Sequence, residues 1–220
     1  MLAEILGVRK GVTAVIGGGG KTTLLRTLGE ELARSGARVI LATTTKFLPF
    51  PGIETVPGGE REITEALGRA PLVCAAAPWG ESGKLAASPV PMARLTALAD
   101  YVLVEADGSA GLPLKAHAPH EPVIPAESGR VILVLGASGF GRPIRETAHR
   151  PERYAGLVGC TPEDIATPER AARVLEAEAL HTRVLLNQAD AADGTALLAR
   201  LHCPAALASL RKGEIVSCSF

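Results

Sequence analysis

Apolar residues along the chain fall into short, nearly unbroken runs separated by stretches of helical spacing. Residues 12–16, 38–42, 72–76, 101–104, 131–135 and 184–186 are runs of strand length. Strands apolar on both faces mark a parallel sheet covered by helices. Between the first two runs, Leu24, Leu25, Leu28 and Leu32 share one face of a helix predicted over 22–35, which Gly36 ends. Helices are also predicted over 60–67, 91–99, 168–178 and 194–201, two of them opening near a proline, as a first turn allows. The alternation predicts an α/β chain with a mostly parallel central sheet. Ligands of such sheets sit beyond the carboxyl ends of the strands, so the residues that follow each run hold the candidate chemistry.

The first of these ends is Gly17-Gly18-Gly19-Gly20-Lys21-Thr22-Thr23. Glycines let backbone amides approach an anion, the helix start adds its dipole, Lys21 adds a mobile charge, and the Thr22 hydroxyl is placed to ligate Mg2+. The segment predicts binding of a nucleoside triphosphate and a three-layer P-loop NTPase-like fold. The standard pattern GxxxxGK[ST] would need glycine where Val15 stands. The deviant pattern KGGxGKT[ST] fits Gly17, Gly18, Gly20, Lys21, Thr22 and Thr23, but Ile16 replaces its first lysine. A dinucleotide-binding reading would need glycine at Thr22.

Other strand ends extend the site. Residues 101–104 deliver Glu105-Ala106-Asp107-Gly108, which has the character of a Walker B acid followed by a phosphate-sensing amide at Gly108. Glu105 or Asp107 is the expected Mg2+ acid, and Asp107 is alternatively the group that orients attacking water. Thr43-Thr44-Thr45-Lys46 would face the phosphates, with Lys46 placed for transition-state charge. Asn187-Gln188-Ala189-Asp190 resembles the guanine-reading pattern NKxD with Gln188 in place of lysine, which leaves ATP and GTP both open; an Asx cap explains the same residues. The proline-rich 108–125 stretch cannot be a regular helix, and in it Lys115 is the residue expected to reach a phosphate or an anionic substrate. His117, His120 and Arg150 are left between substrate contact and loop packing.

Composition narrows the classes of partner. With 220 residues the chain suits one domain over 1–220. Twenty-three basic residues balance 23 acidic ones, so there is no net basic field to hold nucleic acid or an anionic membrane surface. No run approaches the roughly 18 apolar residues of a membrane span, and a cytoplasmic protein is expected. The four cysteines show no CxxC pairing and predict buried thiols rather than zinc or disulfides.

Taken together, GGGGKTT at 17–23, TTTK at 43–46, VEADGSAGLPLKAHAPHEPVIP at 104–125, HRPE at 149–152 and NQAD at 187–190 resemble the YqeC-like family of selenium-dependent molybdenum hydroxylase accessory proteins. The 104–125 block is the specific part. The resemblance implies nucleotide-dependent maturation of a molybdenum hydroxylase, with the apoprotein or a molybdopterin-type cofactor as partner. From the residues, Gly17, Gly18, Gly19, Gly20, Lys21, Thr22, Thr23, Gly108, Asn187 and Asp190 are expected to bind nucleotide. Thr22 with Glu105 or Asp107 is expected to hold Mg2+, and Lys21, Asp107, Lys46 and Lys115 to act in catalysis. A small-molecule kinase with its acceptor at 109–125, and a nucleotide-gated chaperone or carrier without turnover, are the other expectations.

Overall fold

In the computed structural model, which describes residues 1–219, the first apolar run becomes β1 (Gly11–Gly17), preceded by the single turn α1 (Leu2–Ile5). The 14-residue α2 (Lys21–Arg34) follows. Its stripe of Leu24, Leu25, Leu28 and Leu32 is buried, each side chain contributing about 1.5–3 kcal/mol. A Cβ at Gly29 would come within 3.0 Å of Leu72 and 3.2 Å of Leu41, so the helix lies tightly on the strands at that turn. Next come β2 (Val39–Thr43), β3 (Thr55–Val56), α3 (Glu60–Arg69), β4 (Leu72–Trp79), β5 (Lys84–Ala87), α4 (Met92–Leu98) and β6 (Tyr101–Glu105).

These elements belong to one compact unit made of Met1–Val15, Thr22–Gly108 and Val123–Arg130. Its strands run in the order β1-β6-β2-β4-β3, all parallel, with β5 antiparallel on β4. Glu105 is in register with Val15 on one side and Thr43 on the other, so β6 and β2 end level beside Val15 of β1. Val12, Ile40, Ile63, Val73, Leu95 and Val102 are among the residues of the core. All of β2 is buried, the condition read from its continuous apolar run.

The second unit consists of Ile16–Lys21, Ser109–Pro122 and the described chain from Val131 onward. It contains β7 (Leu114–Lys115), most of β8 (Ser128–Gly136), α5 (Ile144–Thr147), β9 (Ala148–His149), α6 (Pro151–Val158), α7 (Pro168–Glu178), β10 (Arg183–Asn187), α8 (Thr195–Leu198), β11 (Ala205–Ser209) and β12 (Glu214–Ser219). The order is β12-β11-β10-β8, parallel except for β12, and β7 pairs separately with β9. α7 has the cap expected of its sequence: Thr167 accepts from the Arg170 amide at 3.2 Å, and Pro168 opens the helix.

Each unit is thus α/β with mostly parallel strands, and every predicted strand is present. The helix expected over 194–201 is a single turn, because Asp193 caps Thr195 and the chain has turned into β11 by Ala205. Among the described residues no helix is long and apolar enough to cross a membrane. Leu28→Ala removes a fully buried side chain from α2 and should cost about 2–5 kcal/mol, read as a lowered urea midpoint with an unchanged slope.

Candidate functional site

The glycine string adopts left-handed backbone at Gly17, Gly19 and Gly20, with φ of +96°, +70° and +128°. Its close neighbours within the second unit are protein. Gly18 N donates to Val134 O at 2.9 Å and Gly19 N to Leu112 O at 3.1 Å. A Cβ at Gly18 would collide with the carbonyls of Leu112 and Pro113, and one at Gly19 with the backbone of Gly136. Here the glycines are required by contact with neighbouring backbone, a role that the sequence assigned to an approaching anion. The amides left for an anion are those that open α2, which by helix geometry have no partner inside the helix.

Lys21 is 5% exposed, and its ammonium donates to Gly17 O at 2.7 Å and Ser109 Oγ at 3.2 Å. The lysine therefore curls over its own loop, onto the Gly17 carbonyl. Ser109 was not singled out by sequence; its only signal is its place two residues beyond Asp107. Asn187, at the end of β10, closes the loop from another side: Nδ2 donates to Gly19 O at 2.8 Å and Oδ1 accepts from Leu210 N at 3.0 Å. Both ends of this amide are engaged by backbone. Asp190 is exposed and accepts from Ser209 Oγ at 2.8 Å; that bond, ahead of a local backbone bond, holds its carboxyl below the usual carboxylate range. Gln188 sits between them at φ +64°, its side chain accepting from Ser138 Oγ at 2.6 Å. The Cβ missing from Gly136 leaves the space that this side chain enters.

In the first unit Thr22 Oγ1 donates to Glu105 Oε2 at 3.1 Å, joining residues 83 positions apart. The Glu105 carbonyl accepts from Thr43 Oγ1 at 2.9 Å and Thr44 N at 3.1 Å, and Thr44 Oγ1 donates to Val123 O at 2.7 Å. The threonine turn is thereby pinned to the strand that delivers the acid. Asp107 lies two residues on, fully buried, with half-buried Gly108 after it. Thr23 is half-buried in the first turn of α2. Lys46 stands apart from this group: its ammonium lies 3.8 Å from the centre of the Trp79 ring, on the exposed end of β4.

The sequence model of the family described as YqeC protein matches residues 13–152. The chain belongs to the YqeC family. It is 37% identical over 162 residues to the uncharacterized protein YqeC of Escherichia coli strain K12, an alignment covering 70% of this chain and 63% of that protein. Among solved structures it resembles FtsY of Physcomitrella patens chloroplasts, with a TM-score of 0.44, 15% identity and coverage of 87% of this chain and 54% of that one. It also resembles the signal recognition particle receptor FtsY of Elizabethkingia anophelis, with a TM-score of 0.47, 12% identity and coverage of 98% and 67%. The α/β class stands on the strand pairing described above and needs neither likeness.

The family match takes in the glycine loop, Glu105, Asp107 and the 109–122 loop, and ends before Asn187 and Asp190. Within that loop Lys115 is 1% exposed and its ammonium lies 3.0 Å from Glu121 Oε2; the Arg150 guanidinium lies 2.9 Å from the same oxygen. Arg150 holds φ +67° at the start of α6, a costly backbone for a side chain of its size. His117 donates its backbone N–H to Glu178 at 2.6 Å and pairs through Nδ1 with the other oxygen at 2.6 Å, whereas His120 is exposed. Among the described residues no group of three or more His, Cys, Asp or Glu is placed to hold a metal.

Burial alone would raise the Glu121 carboxyl, but Lys115 and Arg150 outweigh it and hold the group below its ordinary value of 4.5. A carboxyl lowered in the folded state stabilises at pH above its unfolded value, and that stability is lost as pH falls through the lower folded value. Glu121→Gln should therefore cost on the order of 1–3 kcal/mol at pH 7 and less below pH ~4, so that urea midpoints of variant and wild type converge in acid.

Proposed function

We propose that this chain is a Mg2+-dependent purine nucleotide-binding protein that hydrolyses GTP or ATP during maturation of a molybdenum hydroxylase or its pterin cofactor. The observation that carries the nucleotide part is the Thr22 hydroxyl on the Glu105 carboxylate, at the mouth of a helix whose preceding lysine rests on its own loop carbonyl. Hydroxyl and carboxylate are hard oxygen donors, and Thr22 is exposed, which suits Mg2+ with most of its water retained. Bound there, Mg2+ would neutralise charge building on the terminal phosphates. Lys21 would exchange Gly17 O for a phosphate oxygen, and the opening amides of α2 would hold the anion. Of the two acids, the contact to Thr22 favours Glu105 for the metal. Asp107 is assigned orientation of the attacking water, and Gly108 the sensing of the terminal phosphate. Lys46 is left outside the set because its ammonium already lies on Trp79.

The maturation role rests on the family resemblance of the 104–125 block. An acceptor at 109–125, as a kinase would need, requires Lys115 to leave its buried pairing with Glu121, so water is the preferred acceptor. For the base, Asn187 is proposed to position the loop and Asp190 to read guanine N–H donors with the oxygen that Ser209 leaves open.

Calorimetric titration with GTP and ATP in the presence of Mg2+, with phosphate release measured in parallel, tests the reading. Lys21→Ala should weaken nucleotide binding about 10- to 100-fold with the fold intact by circular dichroism. Glu105→Gln should remove the dependence on Mg2+. Failure of wild type to bind either nucleotide at millimolar concentration would falsify the proposal; label appearing on an acceptor points to the kinase, and binding without turnover to the carrier. Separately, Asp190→Ala should erase a preference of wild type for GTP over ATP, and an equal affinity for both nucleotides in the wild type would sink the base assignment.

A further inference from the structure

A half-open cavity of about 200 Å3 lies beside the carboxyl end of β2, lined by Thr43, Thr44, Ser88, Val90, Met92 and Leu95, with α4 and the end of β5 as walls. Nothing in the proposed nucleotide chemistry uses it. Thr43 is the register neighbour of Glu105, one strand spacing of ~4.8 Å away, so the cavity stands at the same sheet end as the metal acid. Two of its wall residues, Thr43 and Thr44, are the ones that grip the Glu105 carbonyl.

The lining specifies an occupant. None of its residues carries a charge, and burying a phosphate or carboxylate without a partner is costly. Its hydroxyls are unequal. Thr43 Oγ1 has its proton committed, donating to Glu105 O while accepting from Thr45 N. Thr44 Oγ1 spends its proton on Val123 O and keeps a lone pair. Ser88 Oγ accepts from Val90 N, and among the described residues its proton has no acceptor. The remaining wall is aliphatic and thioether. A cavity of about 150 Å3 is enough for benzene, so this one takes a single ring bearing a small substituent.

We propose that this cavity is a binding site for a neutral, ring-containing small molecule that accepts a hydrogen bond from Ser88 and donates one to Thr44. Occupancy bears on the nucleotide site through Thr43 and Thr44, whose bonds fix the strand end that carries Glu105; this coupling rests on the nucleotide reading, whereas the site itself does not. By linkage, a ligand that changes nucleotide affinity has its own affinity changed by the same factor.

The test is saturation-transfer NMR on the full chain with benzamide, which is neutral and both donates and accepts, and benzoate, its anionic counterpart. Benzamide should bind at millimolar concentration and benzoate should not. Ser88→Ala should weaken benzamide about fivefold with the fold intact by circular dichroism. Ala87→Phe, which fills the cavity from its β5 wall, should abolish the signal. Lys21→Ala should leave benzamide binding unchanged, so loss of the nucleotide reading and loss of this site give different results. Absence of benzamide binding, benzoate binding equally well, or both cavity variants binding like wild type overturns the proposal.

Discussion

Glu105 ends its strand with main chain and side chain both committed. The carboxylate receives the Thr22 hydroxyl from the start of α2, and the carbonyl receives the hydroxyl of Thr43 and the amide of Thr44 from the next strand. Three elements far apart in sequence are thereby held at one sheet end, and each of these donors satisfies part of the hydrogen-bonding capacity of a nearly buried residue. The level register of Val15, Thr43 and Glu105 makes this convergence possible, because a shift of one residue would turn the carboxylate to the opposite face. The parallel order of β1, β6 and β2 is thus a requirement of the site as well as of the core.

The glycine loop answers to a different constraint. Gly18 and Gly19 spend their amides on Val134 and Leu112, and the space beside each is filled by neighbouring backbone. A run of glycine before Lys-Thr is commonly taken as room for phosphate, yet here at least two of the four make room for protein. That gives a physical reason for the departures at Val15 and Ile16. Both are fully buried, so the glycine and lysine that the two standard patterns place there would respectively lose apolar packing and bury a charge. Lys21, the first residue of α2, rests its ammonium on Gly17 O.

Much of this was legible in the sequence because it follows from periodicity. Residues 39–42 and 102–104 are apolar throughout, and α2 repeats leucine at helical spacing; burial on both faces or on one stripe is what those patterns encode. What was not legible has identifiable causes. α6 carries its own start and stop signals, Pro151 at its first turn and Gly159 at φ +71°, but the helix is only eight residues long, too short for a convincing apolar stripe. β12 is exposed along most of its length, so no alternation marks it; it exists because β11 offers an open edge. Ser109 and the pairing of Thr22 with Glu105 are contacts between residues more than 80 positions apart, which local patterns do not record.

The 109–122 loop shows what residue type alone leaves open. Lys115 and Arg150 are basic residues near an acidic strand end, and each alone reads as a ligand for phosphate. Both meet Glu121, and further anchors are the Glu178 carboxylate that takes the backbone and ring of His117 and the Leu112 and Pro113 carbonyls that take the amides of Gly19 and Gly136. Three prolines, Pro113, Pro119 and Pro122, deny this segment a helix, and only the two-residue β7 gives it a ladder, so side-chain ion pairs contribute to ordering it. A loop fixed in this way is rigid at its far end and tied at its near end by Ser109 to Lys21. Any ligand that draws the Lys21 ammonium away from Ser109 therefore acts first on the segment that carries the most specific resemblance to the family, and it does so from one end only. The strain held at Arg150 lies at the opposite end, where Glu121 keeps it in place.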